Sequence, residues 1–157
     1  MWNLFEKPLS AGTVAPDFEA LSEAGVAMRL SSLRGQPVVL VFYPGDDTPK
    51  CRQQLCEFRD SWSILQSHGI AVYGVNPQGA ESHRRFIEKH RFPFPILVDA
   101  KQRIATLYRA SGLLVKRTVV LIDAKGVVAF SERGAPSPEA ILRALSQWQA
   151  PASPPSA

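Results

Sequence analysis

The sequence predicts an α/β protein with a mixed central sheet flanked by helices. Five short apolar runs rich in Val and Ile are separated by amphipathic helical segments. Several runs lack the strict alternation of a one-sided sheet, which indicates strands covered on both faces. The chain has 157 residues, of which 45% are hydrophobic and 20% are charged. These values are typical of one globular domain with a full core, which we expect to span residues 1–149.

The predicted elements follow one another along the chain. An N-terminal extension containing GTVAPDF and LSSLRG is expected to form a short hairpin before the first run. The predicted strands are residues 38–43, 70–75, 95–98, 118–122 and 127–130. A stripe at helical spacing predicts the first helix, and two further segments predict helices: the stripe is Leu55, Phe58, Trp62 and Leu65, and the segments are 80–90 and 137–148. The hairpin-length loop 123–126 predicts that one antiparallel pair closes the sheet.

The two ends of the chain and its charge exclude several classes. The tail 150–157, APASPPSA, is expected to be disordered. The longest apolar run is far shorter than the roughly 20 residues that a spanning helix needs, and MWNLFEKPLS lacks the basic start of a secretory signal. We therefore expect a cytoplasmic protein without membrane association. The net charge of +4 is scattered along the chain, so we expect no nucleic-acid partner.

The chemistry is expected at Cys51, which follows a buried strand and the loop Pro44-Gly45-Asp46-Asp47. Thr48 is a typical N-cap and Pro49 a typical first helical residue, which places Cys51 third in the helix. Unpaired N–H donors and the positive end of the helix dipole favour a thiolate there. Lys50 and Arg52 add positive charge, and the Thr48 hydroxyl is expected within hydrogen-bond reach of the sulfur. Cys51 shares the apolar helix face, so its sulfur should point inward.

Cys56 lies five residues after Cys51 on the same helix. With a rise of ~1.5 Å per residue and a radius of ~2.3 Å, the two Cα atoms are roughly 8.6 Å apart, beyond the ~7 Å limit for a disulfide. Oxidation to a disulfide would therefore require the first turns of the helix to unwind. Two other interpretations stay open: both cysteines are buried apolar residues, or they bind a metal together with histidines.

The histidines give little support to a metal site. His68, His83 and His90 lie in different segments and form no short cluster that completes four ligands. His83 and His90 have charged neighbours, and we expect both to face solvent. No metal or other cofactor is expected.

The segment FYPGDDTPKC resembles the Pro-x-x-x-Thr-x-x-Cys signature of the peroxiredoxins, and within them the bacterioferritin-comigratory or peroxiredoxin Q group. Pro44, Thr48 and Cys51 occupy the signature positions, and Cys56 has the offset that many members use for a resolving cysteine. The resemblance continues through GTVAPDF, VYGVNPQGAESHRRF, FPFPILVD and RTVVLIDAKG, and so covers nearly the whole chain before the tail.

This resemblance implies a thioredoxin-like fold and the reduction of hydrogen peroxide or organic hydroperoxides without a bound cofactor. By position, Cys51 is implied as the peroxidatic nucleophile and Cys56 as the resolving cysteine. Thr48 is implied as a hydrogen-bond partner of the peroxide, Pro44 as a shield of the pocket, and Arg117 as the guanidinium that holds the thiolate and the peroxide. An intramolecular disulfide recycled by thioredoxin is implied, and members of the group are often monomers.

Three residues depart from the family pattern. Lys50 replaces the usual Gly, Arg52 replaces a common Thr, and Gln54 stands where Glu is frequent. We expect the added positive charge to act on the thiolate, on substrate preference or on the choice of reductant. Two alternative functions stay open, a thiol-disulfide oxidoreductase and a peroxide-responsive redox sensor, although the chain lacks Cys-x-x-Cys.

Overall fold

A five-stranded mixed sheet forms the centre of the fold in a computed structural model that describes residues 5–151. A separate two-stranded hairpin precedes it, which confirms the short hairpin expected in the N-terminal extension. In chain order the strands are β1 (Glu19–Leu21), β2 (Ala27–Arg29), β3 (Val38–Phe42), β4 (Ala71–Asn76), β5 (Ile96–Val98), β6 (Thr118–Ile122) and β7 (Val128–Arg133). The sheet order is β5-β4-β3-β6-β7.

Within residues 5–151, five α-helices connect and cover these strands. They are α1 (Pro49–Asp60), α2 (Trp62–Ser67), α3 (Ala80–His90), α4 (Arg103–Leu107) and α5 (Pro138–Gln147). Two 3₁₀ turns occupy Leu30–Leu33 and Ala100–Gln102. Across residues 5–151, no helix is both long and apolar enough to cross a bilayer.

The strands pair in parallel on one side of β3 and antiparallel on the other. β3 and β4 are parallel, as are β4 and β5, which fits their helical connections. β6 runs antiparallel to both β3 and β7. The predicted antiparallel β6–β7 hairpin is confirmed, but the antiparallel part of the sheet also includes the central pair β3–β6.

Both faces of the central strands are covered, as the sequence predicted. Every residue of β3 and β6 is buried. Because successive side chains point to opposite faces, Leu40 and Phe42 contribute to one apolar cluster and Val39 and Val41 to the other. The second cluster also contains Cys51, Leu55 and Phe58 from the inner face of α1, so this helix is anchored over the middle of the sheet.

Some predicted boundaries differ from the structure. The stripe from Leu55 to Leu65 is divided between α1 and α2 by Ser61, although Leu65 remains buried. Helix α4 was not predicted, and β7 continues to Arg133 rather than ending at residue 130. Of the predicted tail 150–157, residues 152–157 lie outside the described part of the chain.

The pairing of β3 with β6 decides where the functional residues meet. Phe42, the last residue of β3, lies opposite Thr118, the first residue of β6. The loop that follows β3 and the residue that precedes β6 therefore share one edge of the sheet. Because α1 begins at this edge, its first turn lies beside Arg117.

Candidate active site

Cys51 occupies the third position of α1, where the sequence placed it. Thr48 has extended backbone angles at the N-cap, Pro49 is the first helical residue, and the Arg52 N–H donates to the Thr48 carbonyl at 2.8 Å. The N–H groups of Lys50 and Cys51 thus precede the first helical hydrogen bond. Cys51 is fully buried against the sheet, with 0% of its surface exposed, which confirms the inward direction predicted for its side chain.

A fixed cation lies beside the Cys51 sulfur. Arg117 Nη2 donates to Cys51 Sγ at 3.2 Å, although the two residues are 66 positions apart in the chain. A guanidinium is a fixed cation with several donors, so it can stabilise negative charge that develops on the sulfur or on an oxygen beside it. Helix start and guanidinium therefore act on the same sulfur from two sides.

Gln54 holds this guanidinium from the next turn of α1. Its Oε1 accepts a hydrogen bond from Arg117 Nη1 at 2.7 Å. Because Arg can only donate, this contact also fixes which end of the amide is oxygen. Gln54 is 2% exposed, and its Nε2 has no hydrogen-bond partner among residues 5–151. A buried donor that lacks an acceptor is unfavourable, so this group is available to an oxygen that enters the site.

From the sequence, Gln54 was notable only because it departs from the family pattern. The signal that points to it is its spacing of three residues from Cys51, which puts both side chains on one helix face. The presence of Arg117 against that face was not readable from α1 alone.

The Thr48 hydroxyl does not do what the sequence predicted. Its Oγ1 donates to the Gly45 carbonyl at 3.3 Å, rather than to the Cys51 sulfur. It also accepts no cap bond from the first turn of α1. The hydroxyl instead closes the turn before the helix, and Thr48 itself is exposed at the surface. Pro44 lies half-buried in the same loop.

Cys56 lies on the intact helix α1 and is half-buried at the margin of the core cluster. Both cysteines are free thiols. This is the state expected for two cysteines five residues apart on a continuous helix, where the Cα separation is too large for a disulfide. The structure is therefore that of the dithiol form.

Asp46, in the loop before α1, is the centre of a buried hydrogen-bond network. Its Oδ1 accepts from Tyr43 Oη at 2.7 Å and from Asn76 Nδ2 at 2.9 Å. Its Oδ2 accepts from Ser82 Oγ at 2.7 Å and lies 2.6 Å from His83 Nδ1. Burial by itself raises the pKa of Asp46, but the hydrogen bonds from His83, Tyr43 and Ser82 outweigh it and hold the pKa below its usual value.

The expectation that His83 faces solvent is wrong. His83 is 0% exposed, and its second ring nitrogen, Nε2, lies 3.1 Å from the Leu97 carbonyl. The charged neighbours of His83 in the sequence were a poor guide to its exposure. Only one face of α3 points toward the sheet, and His83 lies on that face with Phe86.

Asp47 makes a second, more exposed set of contacts. Its carboxylate accepts from Lys89 Nζ at 2.6 Å and lies 2.8 Å from His90 Nε2, both at the end of α3. Arg52 Nη1 lies 3.5 Å from the same carboxylate. Hydrogen bonds from Lys89 and His90 lower the pKa of Asp47 to about 2. The His90 side chain is 14% exposed, so the expectation that His90 faces solvent is wrong.

Two further residues considered in the sequence, Lys50 and His68, lie at the surface. Lys50 is exposed beside the site, and His68 is exposed at the end of α2. Among residues 5–151, no group of three or more His, Cys, Asp or Glu side chains is arranged to hold a metal ion.

Comparison with known proteins agrees with this fold. The AhpC/TSA family model matches residues 11–131. Peroxiredoxin Q of Triticum aestivum is 37% identical over 126 residues, covering 78% of this chain and 58% of the wheat protein. A putative peroxiredoxin of Coxiella burnetii, named Bcp, is 34% identical over 77% of this chain and 86% of its own length. The chain thus spans little more than half of the wheat relative.

A solved structure gives the same result. Peroxidoxin BcpB from Mycobacterium tuberculosis superimposes with a TM-score of 0.81 at 29% identity, covering 90% of this chain and 99% of that one. The fold is therefore thioredoxin-like, as the resemblance implied. The chain belongs to the AhpC/TSA family, and within it to the peroxiredoxins of the Q/Bcp group.

Proposed function

We propose that this protein is a thiol-dependent peroxidase that reduces hydrogen peroxide and organic hydroperoxides. The observation that carries the proposal is the 3.2 Å contact between Arg117 Nη2 and the sulfur of Cys51 at a helix start. Such surroundings favour a thiolate, which is the nucleophilic form of cysteine. Family membership supports the same reaction class.

In the first step, the Cys51 thiolate attacks one oxygen of the hydroperoxide. The S–O bond forms as the O–O bond breaks, so the sulfur is oxidised and the departing oxygen leaves as an alcohol or water after taking a proton. In this proposal, Arg117 and the N–H groups of Lys50 and Cys51 stabilise charge on that oxygen. We assign Thr48 as a further donor, released from Gly45, and Pro44 as the shield of the pocket.

Burial of Cys51 favours a peroxide over a protein disulfide as the oxidant. The side chain has 0% exposed surface, so any substrate must reach it through a small opening between side chains that leaves the loop before α1 in place. A hydroperoxide is small enough for such an opening, whereas a disulfide in a folded partner is not. This argues against a thiol-disulfide oxidoreductase.

In the second step, the Cys56 thiol attacks the Cys51 sulfenic acid, which gives a disulfide and water. Both cysteines are on α1, so the first turns of this helix must unwind before the sulfurs can bond. A dithiol protein of the thioredoxin type then reduces the disulfide by thiol exchange and restores both thiols. In this cycle the protein needs no cofactor.

The cycle predicts different results for the two cysteines. Peroxide consumption with thioredoxin, thioredoxin reductase and NADPH should be abolished in Cys51→Ser. Cys56→Ser should still form one sulfenic acid per chain but lose recycling by thioredoxin. Activity retained in Cys51→Ser contradicts the proposal. Unchanged recycling in Cys56→Ser indicates a one-cysteine mechanism, and turnover that stops after one equivalent in the wild type indicates a sensor.

We further propose that the protein acts as a monomer in the cytoplasm. Two cysteines in 157 residues form no disulfide framework, which fits a reducing compartment. Light scattering after gel filtration, on both the dithiol and the disulfide form, tests the oligomeric state.

A further inference from the structure

The loop between β3 and α1 is held by helix α3 rather than by the start of α1 itself. Helix α1 begins without a side-chain cap, because Thr48 Oγ1 points back to Gly45. A helix start of this kind loses its first turn easily unless something outside it fixes the entering chain. In this protein, Asp46 is the residue that connects the loop to its surroundings.

The Asp46 carboxylate contacts four residues, which come from the ends of β3 and β4 and from α3. Its two carboxylate oxygens accept from Tyr43 after β3, Asn76 at the end of β4, and Ser82 in the first turn of α3, and face His83 in the same turn. Its own N–H donates to Gln78 Oε1 at 2.5 Å. The side chain is 3% exposed, so the bonds to its carboxylate are made with little competition from water.

His83 has no spare hydrogen-bonding capacity in this arrangement. The Leu97 carbonyl can only accept, so Nε2 must carry a hydrogen. The other ring nitrogen, Nδ1, lies 2.6 Å from Asp46 Oδ2. Both nitrogens are therefore used inside the protein, and the imidazole connects the loop before α1 to strand β5.

We propose that Asp46 and His83 are positioning residues that hold the loop, and with it the first turns of α1, in the conformation in which Cys51 reacts. The inference rests on the proposed peroxidase function and adds a second consequence to it. The same bonds oppose the unwinding that brings Cys56 to Cys51. Weakening them should slow the attack on peroxide and at the same time favour disulfide formation.

Both consequences can be measured from the fate of the Cys51 sulfenic acid. A Cys51 sulfenic acid either condenses with the Cys56 thiol, releasing water, or reacts with a second hydroperoxide to give sulfinic acid and an alcohol or water. Condensation needs the unwound helix, whereas the second oxidation needs the folded one. The fraction of sulfinic acid therefore reports how firmly the helix start is held.

The test uses His83 because its side chain touches Asp46 but not Cys51. His83→Leu removes the bond to Asp46, and His83→Asn retains a donor near the position of Nδ1. Glu81→Gln is the matched control, since Glu81 is exposed in the same turn of α3. Three quantities are measured: amide exchange of residues 52–56 in the dithiol protein, the rate of Cys51 oxidation, and the sulfinic acid fraction by intact mass.

For His83→Leu we expect roughly tenfold faster exchange at these amides, roughly tenfold slower oxidation of Cys51, and a lower sulfinic fraction. His83→Asn should lie within about threefold of the wild type, and Glu81→Gln should match it. Unchanged exchange and an unchanged sulfinic fraction in folded His83→Leu would overturn the inference. Slower oxidation of Cys51 without a change in the sulfinic acid fraction would also overturn it.

If His83→Leu does not fold, Ser82→Ala removes only one of the four bonds to Asp46 and must shift all three quantities in the same direction. Failure of the proposed function is distinguishable. A wild type that consumes no peroxide contradicts the peroxidase, while the exchange measurement still tests the anchor. Normal peroxidase activity with unaltered exchange contradicts the anchor alone.

Discussion

Helices α1 and α5 begin with the same sequence signature but are held in different ways. Each starts at a hydroxyl residue followed by proline, Thr48-Pro49 in α1 and Ser137-Pro138 in α5. In α5, Ser137 Oγ accepts the Ala140 N–H at 3.1 Å and caps the helix. In α1, the Thr48 hydroxyl donates to Gly45 instead, and no side chain caps the first turn.

The difference separates a structural helix from one that must open. A cap belongs to its own helix and stabilises the first turn wherever the helix goes. An anchor on the preceding loop stabilises the first turn only from outside, so the turn can unwind once the bonds of the anchor break. This arrangement fits a helix that carries two cysteines which cannot bond until it opens.

The largest expected effect comes from removing the anchor. Asp46→Ala leaves His83, Ser82 and Asn76 with unmatched donors in the protein interior, and we expect it to lower the free energy of unfolding by about 3 kcal/mol. Urea unfolding of the dithiol protein measures this. Asp46→Asn serves as the control, because an amide can retain most of the bonds. Equal stability of the Ala variant and the wild type would show that α1 does not depend on the anchor.

A smaller loss is expected where the helix caps itself. Ser137→Ala should lower the free energy of unfolding by about 1 kcal/mol, the usual contribution of an N-cap side chain. Ser146→Ala, which removes an exposed hydroxyl within the same helix, is the matched control. If the two serine variants have the same free energy of unfolding in urea, the Ser137 cap does not stabilise α5. The two helix starts would then not differ in the way described.

The corresponding change in α1 should have less effect on stability. Thr48→Ala removes an exposed hydroxyl that caps nothing, so we expect a change within roughly 0.5 kcal/mol. Its rate of Cys51 oxidation should nevertheless fall if Thr48 donates to the peroxide, and Thr48→Ser should restore it. A stability loss as large as that of Ser137→Ala would mean that Thr48 caps the helix in solution.

The smallest effect belongs to Asp47, which joins the same loop to the end of α3 at the surface. The pKa of Asp47 is about 2, below its ordinary value of 3.8, because Lys89 and His90 donate to the carboxylate. A lowered pKa means that its contribution is complete above pH 3.8 and is lost as the pH falls toward 2. Carboxyl chemical shifts of Asp47 followed against pH should show this titration. Lys89→Met should raise the pKa of Asp47. High salt should weaken the contact, since Lys89 is 58% exposed.

Much of the local structure was predictable because local structure follows periodicity. The stripe Leu55, Phe58 and Leu65 identified the buried face of the helical segment, and Thr48-Pro49 identified where α1 begins. Those two features place Cys51 third in the helix and facing inward. The resemblance in FYPGDDTPKC identified the family, which the comparisons confirm.

Two errors concerned side chains whose surroundings are not determined by the neighbouring residues in the sequence. His83 looked exposed because its sequence neighbours are charged, but burial depends on which face of α3 meets the sheet. The Thr48 hydroxyl was expected to point toward the sulfur, yet the turn at Gly45 supplied a nearer acceptor. Local propensity does not decide between two acceptors at similar range.

The sequence by itself determined the α/β class, the start of α1, the burial of Cys51 and a spacing that prevents Cys51 and Cys56 from bonding on an intact helix. The family resemblance implied Arg117 as the partner of Cys51, but the contact itself, like the pairing of Asp46 with His83, was visible only in the tertiary structure. These contacts join residues 66 and 37 positions apart. They exist because the strand order brings the ends of β3, β4 and β6 together, and strand order is a property of the whole sheet that no local pattern encodes.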